Sequence, residues 1–229
     1  MTRKPETISF WTGRLPHWEV VNGRYFVTIH LSGAIPAAGK QQIRTLSAGY
    51  QSLSRNDPDQ RLKVHRHVFR ELEQWLDRAE RITHLRDQRV AEIVVEAIEH
   101  RRRTGVWDVF EYVVMPNHVH LFFELLDGSL KETLENFKEW TGKQAGKFVP
   151  LNGARFWQKE WFDHWSRSDE EDERIAFYIR QNPVKAGLVG RYEDWPYGSW
   201  RLREIASEIS RSHASGPAGP AGPTKGPAE

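Results

Sequence analysis

The chain has 229 residues, 38% of them hydrophobic and 12% aromatic, with 10 Trp and no Cys. That length buries a sizeable core, while the lack of cysteine excludes a disulfide framework and thiolate metal sites, and no apolar run nears the ~20 residues of a membrane span. The formal net charge is +2, but residues 1–103 carry 18 Lys+Arg against 12 Asp+Glu and residues 104–229 carry 15 against 19, an asymmetry compatible with a polyanionic partner and equally with plain solvated surface.

The opening Met1-Thr2-Arg3-Lys4-Pro5-Glu6 lacks the apolar stretch of a signal peptide, so the expected location is cytoplasmic. Residues 24–31 are rich in β-branched and aromatic side chains and end at Ser32-Gly33, which predicts a strand. Helical patterning is weak over 37–54, breaks at Asn56-Asp57-Pro58-Asp59 and dominates 61–81, where Leu72, Trp75, Leu76 and Ala79 form an i, i+3, i+4, i+7 stripe. Residues 89–103 predict a stronger helix, with Arg101-Arg102-Arg103 in the last turn where cations suit the dipole. A hairpin follows: residues 106–114, a turn at Met115-Pro116-Asn117, then 118–125.

Asp127-Gly128-Ser129 breaks the pattern, and Ser129 with Glu132 makes a capping box for a helix over 130–148. Residues 156–167 are ambiguous: Trp157, Trp161 and Trp165 have helical spacing but strand-like surroundings. Ser168 caps a last helix whose first turn holds Asp169, Glu170, Glu171 and Asp172. Pro183 disfavours α geometry at Asn182, so this helix is expected to stop near Gln181. The Gly/Pro/Ala tail, 206–229, has little to bury and is expected to be disordered. The strand–helix–strand–strand–helix–strand order predicts an α+β domain with a mostly antiparallel sheet.

Two motifs carry chemistry. His118-Val119-His120 puts two imidazoles on one face of a strand, with Val119, Leu121 and Phe123 on the other. Tyr178 and Asn182, four apart, stack on one face of the last helix. Alone, each has a plainer reading: two satisfied polar residues on a sheet face, and a core tyrosine. Glu124, on the histidine face, suits a structural ion pair better than a ligand.

Together, Val113-Val114-Met115-Pro116-Asn117-His118-Val119-His120-Leu121 and Tyr178-Ile179-Arg180-Gln181-Asn182-Pro183-Val184-Lys185-Ala186-Gly187-Leu188-Val189 resemble the single-tyrosine HUH transposases, in particular the REP-associated tyrosine transposase branch. Phe156-Trp157-Gln158, Phe162-Asp163-His164 and Asp194-Trp195-Pro196-Tyr197-Gly198-Ser199 add to the likeness. It covers roughly residues 20–32 and 88–200. It implies a ferredoxin-like domain within 1–205, here with a helical insertion at about 33–88, that cuts and rejoins hairpin-bearing single-stranded DNA. Carried onto this chain, the resemblance implies Tyr178 as nucleophile and His118, His120 and Asn182 as ligands of a divalent metal, Mg²⁺ or Mn²⁺.

Arg180, Lys185, Lys138 and Lys143 are candidate phosphate contacts. The expected product is a covalent 5′-phosphotyrosine with a free 3′-OH, which conserves bond energy for rejoining. The alternatives are a domesticated DNA-binding module that no longer cuts and a metal phosphodiesterase in which water attacks. Both monomer and homodimer suit the family, with the branch favouring the monomer.

Overall fold

A computed structural model describes residues 3, 6–12, 16–52 and 58–201; the Gly/Pro/Ala tail lies outside the described residues. In chain order the elements are strands β1 (Thr7–Thr12), β2 (Pro16–Val20) and β3 (Arg24–His30), then helices α1 (Ala37–Ser52), α2 (Pro58–Asp77) and α3 (Gln88–Arg103). Strands β4 (Trp107–Val114) and β5 (His118–Leu125), helix α4 (Leu130–Ala145), strand β6 (Phe162–Trp165) and helix α5 (Asp169–Lys185) complete the described fold.

Four strands form one antiparallel sheet in the order β4-β5-β3-β6. Read as β3-α3-β4-β5-α4-β6, that is the ferredoxin-like arrangement, in which each βαβ unit is split by a strand of the other. The α+β expectation therefore holds, with α1 and α2 as the helical insertion between the first strand and its crossover helix. The β1–β2 hairpin pairs separately. Its short strands were not foreseen, because six and five residues opening on a proline give little alternation to read.

The two faces of the sheet have different jobs. Tyr25, Phe123 and Trp107 stack on one face, where Phe137 of α4 closes over Trp107 with ring centroids 5.7 Å apart. The opposite face pairs Phe26 with Phe122, Thr28 with His120 and His30 with His118 across β3 and β5. Helices α2 and α5 cover this face: Phe69 of α2 meets Phe26 edge-on at 5.3 Å, and Tyr178 of α5 does so at 5.9 Å.

Helix caps form as the sequence predicts. The Ser129 hydroxyl accepts from the Glu132 amide and the Ser168 hydroxyl from the Glu171 amide, each at 3.2 Å. The ambiguous aromatic stretch becomes β6, with Trp157 bridging to Leu31. One expectation fails: α5 does not end at Gln181 but runs through Pro183 to Lys185. The preference against α geometry before proline is overridden locally, since Asn182, Pro183 and Ile179 are all buried and the turn closes through Ala186 N–H to the Asn182 carbonyl at 3.0 Å.

The edge of β4 is covered by the segment after α5. The Val114 amide donates to the Tyr197 carbonyl at 2.9 Å, the Trp195 indole donates to the Val114 carbonyl at 2.9 Å, and Gly198 bridges to Val113. A bulge in β4 between Val109 and Glu111 sets Glu111 opposite Phe122, on the face that α5 covers. There the buried Glu111 carboxylate accepts hydrogen bonds from Arg180 and from the Ser199 hydroxyl.

Candidate active site

The rigid part of the site is β5. His118 and His120 are fully buried on the sheet face under α2 and α5, with their Nε2 atoms 3.1 Å apart. Each ring is oriented through its other nitrogen. His118 Nδ1–H donates to Asn117 Oδ1 at 2.5 Å, and His120 Nδ1–H donates to the Thr28 hydroxyl at 2.9 Å. Asn117 Oδ1 can only accept and so assigns the His118 tautomer; with the Thr28 hydroxyl accepting from His120, both Nε2 lone pairs point into one space. Two facing lone pairs at that distance repel unless a proton or a cation lies between them.

Asn117 does a second job. Its amide Nδ2 donates to the Leu76 carbonyl at 2.8 Å and the Ala79 carbonyl at 3.2 Å, at the carboxyl end of α2. The turn that starts the histidine strand therefore also fixes the insertion helix upon it. Three residues earlier along α2, Glu73 reaches the site. One carboxylate oxygen, Oε2, lies 3.4 Å from His120 Nε2 and accepts the Tyr178 hydroxyl hydrogen bond. The other, Oε1, has no hydrogen-bond partner among the described residues.

Helix α5 brings the remaining groups. The Tyr178 ring lies 5.4 Å from the His120 ring within the same chain. Asn182, one turn on, places Nδ2 3.2 Å from His120 Nε2, and its buried Oδ1 is without a hydrogen-bond partner among the described residues. Burial, then the neighbouring His120, pushes the His118 imidazole down to about 3. Glu73 is drawn the other way: burial opposes its charge, but the His120 imidazole, His118 and the phenol hydrogen bond outweigh that and keep it below the usual carboxylate range. The Tyr178 phenol is pushed well above its ordinary value, first by burial and then by the Glu73 carboxylate.

This donor set fits a divalent cation. Ligand atoms of Glu73, His118 and His120 all lie within 4.8 Å of one another, and the amide oxygen of Asn182 is the fourth candidate. Two imidazoles with one carboxylate and one amide oxygen make a mixed nitrogen–oxygen set that accepts Mn²⁺ as well as Mg²⁺, and the two buried oxygens are acceptors on which a cation can sit.

Of the residues singled out in the sequence, His118, His120, Tyr178 and Asn182 come together. The four cations do not. Lys138 and Lys143 lie on α4, across the sheet; Lys138 Nζ donates to the Lys159 carbonyl and sits 4.9 Å over the Trp161 ring. Arg180 is engaged with Glu111, and Lys185 pairs with Asp77 at 2.9 Å. Glu124 pairs with Arg24 at 3.1 Å, the structural ion pair the sequence suggested. Glu73, Thr28 and Asn117 were missed. Asn117 stood next to the motif, and only the docking of α2 identifies Glu73.

Comparison with known proteins points the same way. Residues 75–182 match the family model described as IS200-like transposase. A REP-associated tyrosine transposase of Escherichia coli K12 is 26% identical over 106 residues, 46% of this chain and 61% of that protein. A Haemophilus influenzae protein provisionally given the same description is 27% identical over 106 residues, 42% of this chain and 60% of that protein. The chain thus spans about three-fifths of the length of these curated relatives. A solved structure of a REP-associated tyrosine transposase bound to a REP hairpin aligns over 86% of this chain and 88% of that chain, with a TM-score of 0.52 and 17% identity, a likeness of fold. No helix among the described residues is long and apolar enough to cross a membrane.

Proposed function

Starting from a chain that is a relative of the REP-associated tyrosine transposases and carries their IS200-like match over residues 75–182, we propose a metal-dependent transferase that cuts and rejoins single-stranded, hairpin-bearing DNA through Tyr178. One observation carries this reading: the phenol, the carboxylate of Glu73 and the two imidazoles converge within a single chain. No second subunit is needed to deliver the nucleophile, so a monomer suffices.

The residues divide the work. The Tyr178 oxygen attacks the scissile phosphorus; the new bond joins phosphorus to the phenol oxygen, and the bond to the 3′ oxygen breaks. The phenol proton passes to Glu73, whose Oε2 already accepts it as a hydrogen bond. The departing 3′ oxygen takes up a proton and becomes a 3′-OH, the group that later reverses the step. His118, His120, Glu73 and Asn182 would hold the cation, which when bound supplies Lewis-acid polarisation of the phosphate and offsets charge on the leaving oxygen. In its absence a phenol raised by burial and by an adjacent carboxylate stays protonated.

The test is a covalent one. Incubated with Mn²⁺ and a labelled hairpin oligonucleotide, the protein should retain the 5′ end of the cut strand through a denaturing gel. Tyr178→Phe should abolish that adduct. A free 5′ phosphate with no adduct would instead indicate attack by water, and binding without any cut would indicate a DNA-binding module.

A further inference from the structure

Beside Tyr178 a cleft of about 380 Å³ opens at the seam between the insertion and the sheet. Its walls are aromatic. Phe69 of α2 lies 4.9 Å from Phe162 of β6, and His65 stacks on Phe162 with ring centroids 4.5 Å apart and planes 29° from parallel. Phe26 and Tyr178 both meet Phe69 edge-on. Two arginines stand at the rim, Arg66 from α2 and Arg174 from α5, one turn before the tyrosine. The acidic residue of the lining, Glu171, is paired with His164 at 3.0 Å and lies 3.8 Å from Arg66. The cleft thus offers flat apolar faces inside and guanidinium groups at its mouth.

We propose that this cleft takes one unpaired nucleobase of the strand being cut, stacked against the partly exposed Phe69, with Arg66 and Arg174 meeting the phosphates on either side. The inference rests on the strand-cutting reading and deepens it by naming what the insertion contributes to substrate choice. A phosphate presented to Tyr178 carries a nucleotide on each side. One of their bases must leave the solvent or remain in it, and a base exposes two π faces that favour aromatic walls. The rim charges match the phosphodiester backbone, and their contribution falls with added salt. An aliphatic or peptide occupant would use the apolar walls but not the paired guanidinium groups beside a strand-cutting phenol.

Binding can be measured apart from cutting. The Tyr178→Phe protein is mixed with hairpin oligonucleotides, selected on it from a library with randomised single-stranded flanks, each carrying 2-aminopurine at one flank position. Fluorescence should be quenched strongly at a single position. Removing the base there should weaken binding by about 5- to 150-fold, the range for one base on an aromatic platform. Adding Phe69→Leu, which keeps an apolar side chain but loses the flat face, should erase both effects, whereas Phe69→Tyr should keep them. Even fluorescence along the flanks, or the same quench in the Phe69→Leu protein, overturns the cleft assignment while adduct formation by the wild type still stands. A single quenched position without any wild-type adduct upholds the cleft and removes the transferase reading. Failure to select any hairpin oligonucleotide overturns both.

Discussion

Substituting Glu73 by Gln removes the one anionic candidate ligand of the histidine cluster while keeping the side chain's length. In the wild type, a cation at a hundred times its dissociation constant stabilises the fold by about 2.7 kcal/mol. Substituting groups that only orient ligands already weakens metal affinity by about 10- to 100-fold, so losing the carboxylate itself should weaken it by about 100-fold or more. At the same metal concentration the stabilisation then drops to about 0.4 kcal/mol. For a domain of this length 1 kcal/mol moves the melting midpoint by roughly 2–4 °C. The metal-induced rise should therefore shrink from about 5–11 °C to about 1–2 °C. Tryptophan fluorescence follows the transition in Mn²⁺ and in EDTA, and taking the difference within each variant cancels any effect of the substitution on the metal-free protein. A Gln variant that kept the full metal-induced rise would rule out Glu73 as a ligand.

Asn117→Ala should cost about 2–4 kcal/mol in urea unfolding, because the Leu76 carbonyl, the Ala79 carbonyl and His118 Nδ1 lose their partner together; a loss of Mn²⁺ affinity of about 10- to 100-fold should accompany it. Arg180→Met should destabilise by about 3–5 kcal/mol by leaving the buried Glu111 carboxylate without its guanidinium counter-charge, and the added change Glu111→Gln should recover most of that; a stable Arg180→Met protein with weakened DNA binding would contradict the structural role. His17 is 2% exposed, and although burial opposes its charge, Asp163 and Glu160 raise it to about 9. With the folded value above the ordinary 6.5, its stabilisation is complete below pH 6.5 and is lost as pH rises through 9, a change of at most about 3 kcal/mol. Unfolding curves between pH 6 and 9.5 should show that slope in the wild type and not in His17→Gln.

The sheet and its two crossover helices were legible because their signals are local: alternation through β3 and β5, cap residues Ser129 and Ser168, and a turn at Pro116. The imidazole pair and the tyrosine helix could be read for the same reason, since periods of two and of four fix which side chains share a face. Glu73 could not. It is one of several charged residues along α2, and only long-range docking separates it from its exposed neighbours. The family match begins at residue 75, two positions after it. Pro183 misled in the opposite direction, because a local backbone preference of that size yields to burial of the turn around it. The basic residues misled because charge alone does not say whether an arginine faces a phosphate or, like Arg180, a carboxylate brought inward by a bulge.

The clasp of residues 195–199 along β4 makes the two flanks of the sheet unequal. At one flank the carboxyl-terminal residues of β4, Val113 and Val114, already pair with the chain's own return. A second copy, or an extended segment of another protein, would have to peel away Tyr197 and Gly198 before it could add a strand there. At the other flank β6 offers four residues, a short run on which to template a strand. The same return that meets Arg180 of α5 through Ser199 and Glu111 therefore also blocks strand addition at that end of β4.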